Sequence, residues 1–193
     1  MTKFLLTAAL VLSSITSYGM DEIINGNLLR ADQLPQMNAI YMIRENEQDR
    51  FVCSATLVGP QVIATAGHCV ISDTVSIKFG SERYVATLYR NPAYDAGPNI
   101  PDDFAYKNDT AFGILDRPVT GVEPVTITKA SPQVGEKLLM AGCGRPQPEV
   151  RQYGYTKVVT SSTNGVTGRA LPELMQVLDS GDSGGPTYMV AND

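Results

Sequence analysis

The chain has 193 residues, 43% hydrophobic and 18% charged, a balance that excludes a disordered or fibrous polypeptide and allows one domain or two small ones. A formal net charge of −5 argues against a nucleic-acid binder and offers nothing to hold an anionic membrane surface. One histidine in the whole sequence excludes a metal centre built from several imidazoles.

Residues 1 to 19 form a secretory signal: Lys3 supplies the positive start, 4 to 12 (FLLTAALVL) the apolar core, and Ser17 and Gly19 the small residues before a cut at Met20. The apolar run is far short of the ~20 residues that span a bilayer. Export implies an oxidising compartment in which Cys53 and Cys69, 16 residues apart beside apolar runs, are able to pair. Cys143 is then left as a free thiol, an intermolecular bridge or a cysteine whose partner is missing.

From Ile23 onward, short runs rich in Val, Ile, Thr and Tyr alternate with turn residues. Strands are predicted at 51–58, 75–79, 84–89, 111–115, 122–128, 136–142 and 155–160, punctuated by pairs such as Gly80-Ser81, Asn91-Pro92 and Gly97-Pro98. The polar stretch 44–50 (RENEQDR) suits a solvated hairpin tip, and 116–121 (DRPVTG) a boundary between two β units. No helical period is sustained outside the signal, so the expected class is all-β, a sandwich or barrel.

Three motifs carry chemistry. In Thr65-Ala66-Gly67-His68-Cys69 the only histidine follows an apolar strand, beside a cysteine able to fix its backbone. That placement suits a general base, although a lone histidine is also an ordinary core or surface residue. In Asn108-Asp109-Thr110 the aspartate is either a turn residue or, if it meets His68, the carboxylate that selects the imidazole tautomer. The same three residues also make a weak glycosylation sequon. In Gly181-Asp182-Ser183-Gly184-Gly185-Pro186 the glycines permit a tight turn that exposes a serine hydroxyl. The Gly181 and Ser183 amides are then able to converge on an anion.

With these motifs in this order, the chain resembles the trypsin/chymotrypsin-like serine proteases from Ile23 to its C-terminus. Ile23-Ile24-Asn25-Gly26 looks like the family's mature N-terminus, and Asn91-Pro92-Ala93-Tyr94 like the segment before its aspartate. Ala141-Gly142-Cys143-Gly144 is similar to its Ala-Gly-Trp-Gly, with Cys for Trp. The resemblance implies two Greek-key β-barrels of the chymotrypsin type with the site between them, and a Cys53–Cys69 disulfide beside the histidine. It implies Ser183, His68 and Asp109 as nucleophile, base and orienting carboxylate, with Gly181 and Ser183 as the oxyanion hole. Metal and organic cofactors are not required.

The same resemblance assigns Ile23 and Asp182 to an activation ion pair, made when a three-residue propeptide (20–22) is removed. Glu22 replaces the usual Arg or Lys before the cut, so the activating protease is expected to favour acidic sites or to be unselective. Val177 stands at the base of the substrate pocket, where it would not bind a basic side chain. Asp179 replaces a cysteine there, as a pocket carboxylate or a surface loop residue.

Ten residues follow Ser183, where family members continue for several tens. The expected division is therefore 23–120 for the N-terminal barrel and 121–193 for a C-terminal barrel lacking its last strands and helix. The function expected is a secreted (extracellular or periplasmic) monomeric serine endopeptidase acting on protein or peptide substrates. It has no nucleic-acid partner and, after signal removal, no membrane partner. The alternative is a catalytically silent homologue that binds without cleaving, or a truncated remnant. An α/β-hydrolase is disfavoured, because the chain lacks the helices that such a fold needs around its serine.

Overall fold

Alternation of apolar and polar residues builds the first sheet. The structure, a computed structural model, describes residues 23–43, 50–95, 108–144, 150–162 and 165–190. Strand β1 is Asn27–Leu28 and β2 is Met37–Met42; β3 (Arg50–Gly59) and β4 (Val62–Thr65) follow, then β5 (Thr74–Phe79), β6 (Glu82–Arg90) and β7 (Ala111–Leu115). In β6 the side chains of Tyr84, Ala86 and Leu88 point inward, while Val85 and Tyr89 face out. Antiparallel pairing in the order β2-β3-β4-β7-β6-β5 closes this set into a barrel, β2 meeting β5 at Ile40 opposite Ile77. Closure removes unpaired strand edges. Ile40, Leu57, Ile63, Val75, Ile77 and Leu115 fill the interior at 1% exposure or less. Gly113 of β7 has no room for a side chain: a Cβ there would lie 2.7 Å from Ile63 Cγ1 and 2.8 Å from Leu88 Cδ2.

The second sheet contains β8 (Lys137–Gly142), β9 (Gln152–Ser162), β10 (Gly165–Ala170) and β11 (Thr187–Met189), ordered β1-β9-β8-β11 with β10 also on β9. Among the described residues it curls without closing, so the molecule is nearly all-β, with one complete barrel and one incomplete one, the chymotrypsin-type pair that was expected. The N-terminal β1 pairs with β9, Asn27 opposite Tyr153, and so lies on the second sheet. Met37, Ala39, Ala141 and Cys143 form a smaller core that joins barrel to sheet.

Six of the seven predicted strands are present within a few residues of their expected bounds. The seventh, 122–128, is an extended connector instead. Pro124 has no N–H to give, and although Val125 donates to the Leu57 carbonyl at 3.0 Å, no ladder develops. The expected signal (1–19), the expected propeptide (20–22) and all but Arg50 of the expected 44–50 tip lie outside the described residues. Among the described residues no helix is long and apolar enough to cross a membrane.

Cys53 of β3 and Cys69 are joined by a disulfide across 16 residues. A loop of this length loses chain entropy worth about 3 kcal/mol when cross-linked in the unfolded state. The double variant Cys53→Ala/Cys69→Ala is therefore expected to lose about that much unfolding free energy in denaturant titration.

Candidate active site

β4 delivers the histidine. After Thr65 the chain extends through Ala66 and tightens into a 3-10 turn, Gly67–Cys69, whose end the disulfide fastens to β3. A Cβ on Gly67 would sit 3.1 Å from Asp109 Oδ1 and 3.2 Å from the Thr110 nitrogen, so the missing side chain lets the aspartate segment come close. The carboxylate grips His68 twice. Oδ1 accepts from the His68 backbone N–H at 2.7 Å, and Oδ2 lies 2.7 Å from Nδ1. An ionised carboxylate only accepts, so the shared proton resides on Nδ1; in a neutral imidazole so oriented, Nε2 carries the lone pair. Both side chains are partly buried, at 29% and 22% exposure. That shelter strengthens the contact without isolating it from a substrate.

Two supports leave no motif in the sequence. Arg90, at the end of β6, donates from Nε to the Gly67 carbonyl at 2.8 Å and from Nη2 to the Val70 carbonyl. Its guanidinium rests 4.9 Å from the Tyr94 ring centre. One planar group thus clamps both ends of the histidine turn. Asn108, in the left-handed region at φ 53°, donates to the Ala93 carbonyl at 3.0 Å and aims the chain into Asp109.

The serine loop docks onto the same two strands. Gly181 has φ +100° and Gly184 φ +82°, conformations that suit glycine. The Ser183 carbonyl accepts from the Ser54 N–H at 2.9 Å and lies 3.7 Å from Cys69 Sγ, the residue next to His68. A Cβ on Gly184 would fall 2.2 Å from Thr65 Oγ1 and 2.4 Å from the Ser54 carbonyl oxygen. The His68, Asp109 and Ser183 motifs, separated by up to 115 positions in sequence, therefore meet at one place. A cleft of about 670 Å³ beside them is lined by Thr65, Ala66, Asp109, Gly184 and Pro186.

Asp182 points the other way, into the protein. It is 3% exposed; Oδ2 accepts from the Asp179 N–H at 2.9 Å, while Oδ1 has no hydrogen-bond partner among the described residues. Burial pushes its pKa up to about 6, with the nearby Asp179 charge adding to the rise. Oδ1 occupies the space a Cβ on Gly142 would need, 2.1 Å away. Ile23, 1% exposed, packs at Gly154 on the partner strand β9. Ile24 exchanges backbone hydrogen bonds with Val177, at 2.8 Å and 3.3 Å. Gln176 secures the same segment, donating to the Asn25 carbonyl and accepting from the Tyr155 N–H, both at 2.9 Å.

Val177 is half-exposed and lines an apolar cleft of about 490 Å³ with Leu138, Met140, Leu178 and Met189. Asp179 is half-buried, and its Oδ1 accepts from the Ser180 N–H at 2.6 Å. Cys143 is a fully buried thiol, 3.5 Å from Met37 Sδ. His68 and the sulfurs of Cys53 and Cys69 lie within 4.8 Å of one another, a metal-like grouping whose two sulfurs are already spent in the disulfide.

Comparison with known proteins bears on the family and the fold. The trypsin family model matches residues 23–192. Rat (Rattus norvegicus) kallikrein-8 is 25% identical over 86% of this chain and 71% of its own length. The thrombin-like enzyme flavoxobin of Protobothrops flavoviridis is 28% identical over 65% of the chain, which spans half of that protein. Neuropsin, a serine protease expressed in the limbic system of mouse brain, shares the fold with a TM-score of 0.63 at 20% identity, covering 85% of this chain and 81% of its own. The chain belongs to the trypsin family, serine-type endopeptidases.

Proposed function

We propose that this protein is a secreted endopeptidase that cleaves peptide bonds through an acyl-enzyme on Ser183. The observation that carries the proposal is the double hydrogen bond from His68 to Asp109, both at 2.7 Å, beside a docked serine loop. Ser183 Oγ attacks the scissile carbonyl carbon while His68 Nε2 takes its proton. Asp109 stabilises the imidazolium through Nδ1, and the Gly181 and Ser183 amides receive the oxyanion. The imidazolium then gives its proton to the departing amine, and water repeats the sequence to release the acid. Protein or peptide substrates follow from the family.

Labelling with a fluorophosphonate probe tests the nucleophile. Wild type is expected to label and Ser183→Ala not to. Asp109→Asn, which leaves shape but loses the tautomer control, is expected to lower kcat about 10⁴-fold. A protein that binds without cleaving, the reading that the unclosed second sheet favours, predicts no Ser183-dependent labelling in either form.

Activation is proposed to occur by cleavage after Glu22, freeing an Ile23 ammonium to pair with Asp182. The partnerless Oδ1 supports this, because a buried carboxylate oxygen without a donor is costly. N-terminal sequencing of active protein is expected to begin at Ile23; a fully active protein beginning at Met20 overturns the assignment.

The uncleaved chain makes a further prediction. Asp182 binds its proton more tightly when folded, near pH 6, than at its ordinary value of 3.8. Its contribution to stability is therefore fully present below pH 3.8 and is lost as pH rises through 6. Thermal melts of the uncleaved protein should show that decline, and Asp182→Asn should remove it.

A further inference from the structure

Ser54 is a small polar residue inside an apolar strand, and it is completely buried. All three of its hydrogen-bonding groups are used on different parts of the site. The backbone N–H donates to the Ser183 carbonyl at 2.9 Å. The carbonyl accepts from Thr65 Oγ1 at 2.8 Å, three residues before His68. The hydroxyl accepts from the Cys143 N–H at 2.8 Å and donates to the Gly181 carbonyl at 2.9 Å. One side chain therefore bridges the end of β8 to the residue that carries the first oxyanion donor.

Gly181 depends on such a bridge. Its φ of +100° has no side chain to enforce it, and glycine backbone otherwise moves freely between conformations. Pinning the carbonyl fixes the 181–182 peptide plane and so restrains the torsions of Gly181 that aim its own amide. The Phe51 ring, whose Cε1 would lie 2.4 Å from a Cβ on Gly181, closes the other side. Ser54 holds Ser183 as well, through its own N–H, so both oxyanion donors are referenced to one residue of β3.

Building on the proposed endopeptidase activity, we infer that Ser54 is a positioning residue whose hydroxyl aims the Gly181 amide into the oxyanion hole. It touches no substrate and acts only through Gly181. Misalignment of one donor by about 1 Å is enough for about a 100-fold loss of rate, without loss of ground-state binding.

The test is fluorophosphonate labelling of the processed full chain, resolving the limiting rate kinact from the half-saturation constant KI. Ser54→Ala is expected to lower kinact about 10- to 100-fold with KI unchanged within about threefold. Ser54→Thr keeps the hydroxyl and is expected to recover most of the rate, even where its extra methyl lowers Tm. Ile77→Val, a barrel-core change remote in role, supplies a destabilised control with wild-type kinact. Ser54→Ala labelling at the wild-type rate overturns the inference, as does a loss of kinact matched by Ile77→Val at equal Tm. A Ser54→Ala chain that does not fold assigns the hydroxyl to stability and equally overturns it. Wild type that fails to label through Ser183 overturns the proposed activity itself, a result separable from all of these.

Discussion

The site exists because backbone is allowed to touch backbone where the serine loop meets the barrel. Gly184 lies so close to Thr65 and Ser54 that even a methyl group would overlap them. Gly185 is as tight against the Ala141 carbonyl, where a Cβ would fall 2.2 Å away. Close-packed interiors transmit such overlaps as shifts of whole segments, because no neighbouring void absorbs them. The 181–185 loop is thus set by two surfaces at once, the ends of β3 and β4 on one side and β8 on the other. His68 leaves from the same ends, three residues after Thr65. Ser183 and His68 therefore share one rigid reference, which is what the proposed proton transfer over hydrogen-bond distance requires.

Much of this was legible in the sequence, for reasons that can be named. Strands β6 and β7 alternate cleanly, since each has one buried and one outer face. The His68, Asp109 and Ser183 motifs are local strings whose order identifies them. Strand β2 escaped because it serves two cores: Ile40 faces the barrel interior while Met37 and Ala39 face the second cluster, and the alternation disappears. The connector at 122–128 misled in the opposite sense, with strand-like composition but a proline where the ladder needs a donor. Ser54 and Arg90 were invisible for another reason. Ser54 reaches residues 89 and 127 positions away, and such pairings leave no periodic trace in a single sequence.

Two aspartates show how environment divides labour within one residue type. Asp109 is partly open to solvent and its two oxygens each meet a donor of His68. Asp182 is nearly solvent-free, satisfied on one oxygen and unsatisfied on the other. The first arrangement gives each carboxylate oxygen a partner with solvent at hand; the second holds a charge that the fold would rather neutralise. The raised pKa of Asp182 is that preference expressed in protons. Protonation relieves it at acid pH, and an ammonium would relieve it at neutral pH.

That second relief has a structural address. Gly142, against which the orphan oxygen lies, is one residue from Cys143, whose N–H is held by Ser54. Asp182 is one residue from Gly181, whose carbonyl is held by the same hydroxyl. The segments 142–143 and 181–182 thus form a narrow clamp, closed by Ser54 on the barrel side and left one donor short on the other. A cation supplied at Ile23 would complete the clamp from the sheet side, where β9 already buries that residue. On the proposed function, activation and positioning are therefore the same physical problem. Each fixes the peptide planes on either side of Asp182, and the fold needs both because glycine at 181 fixes neither.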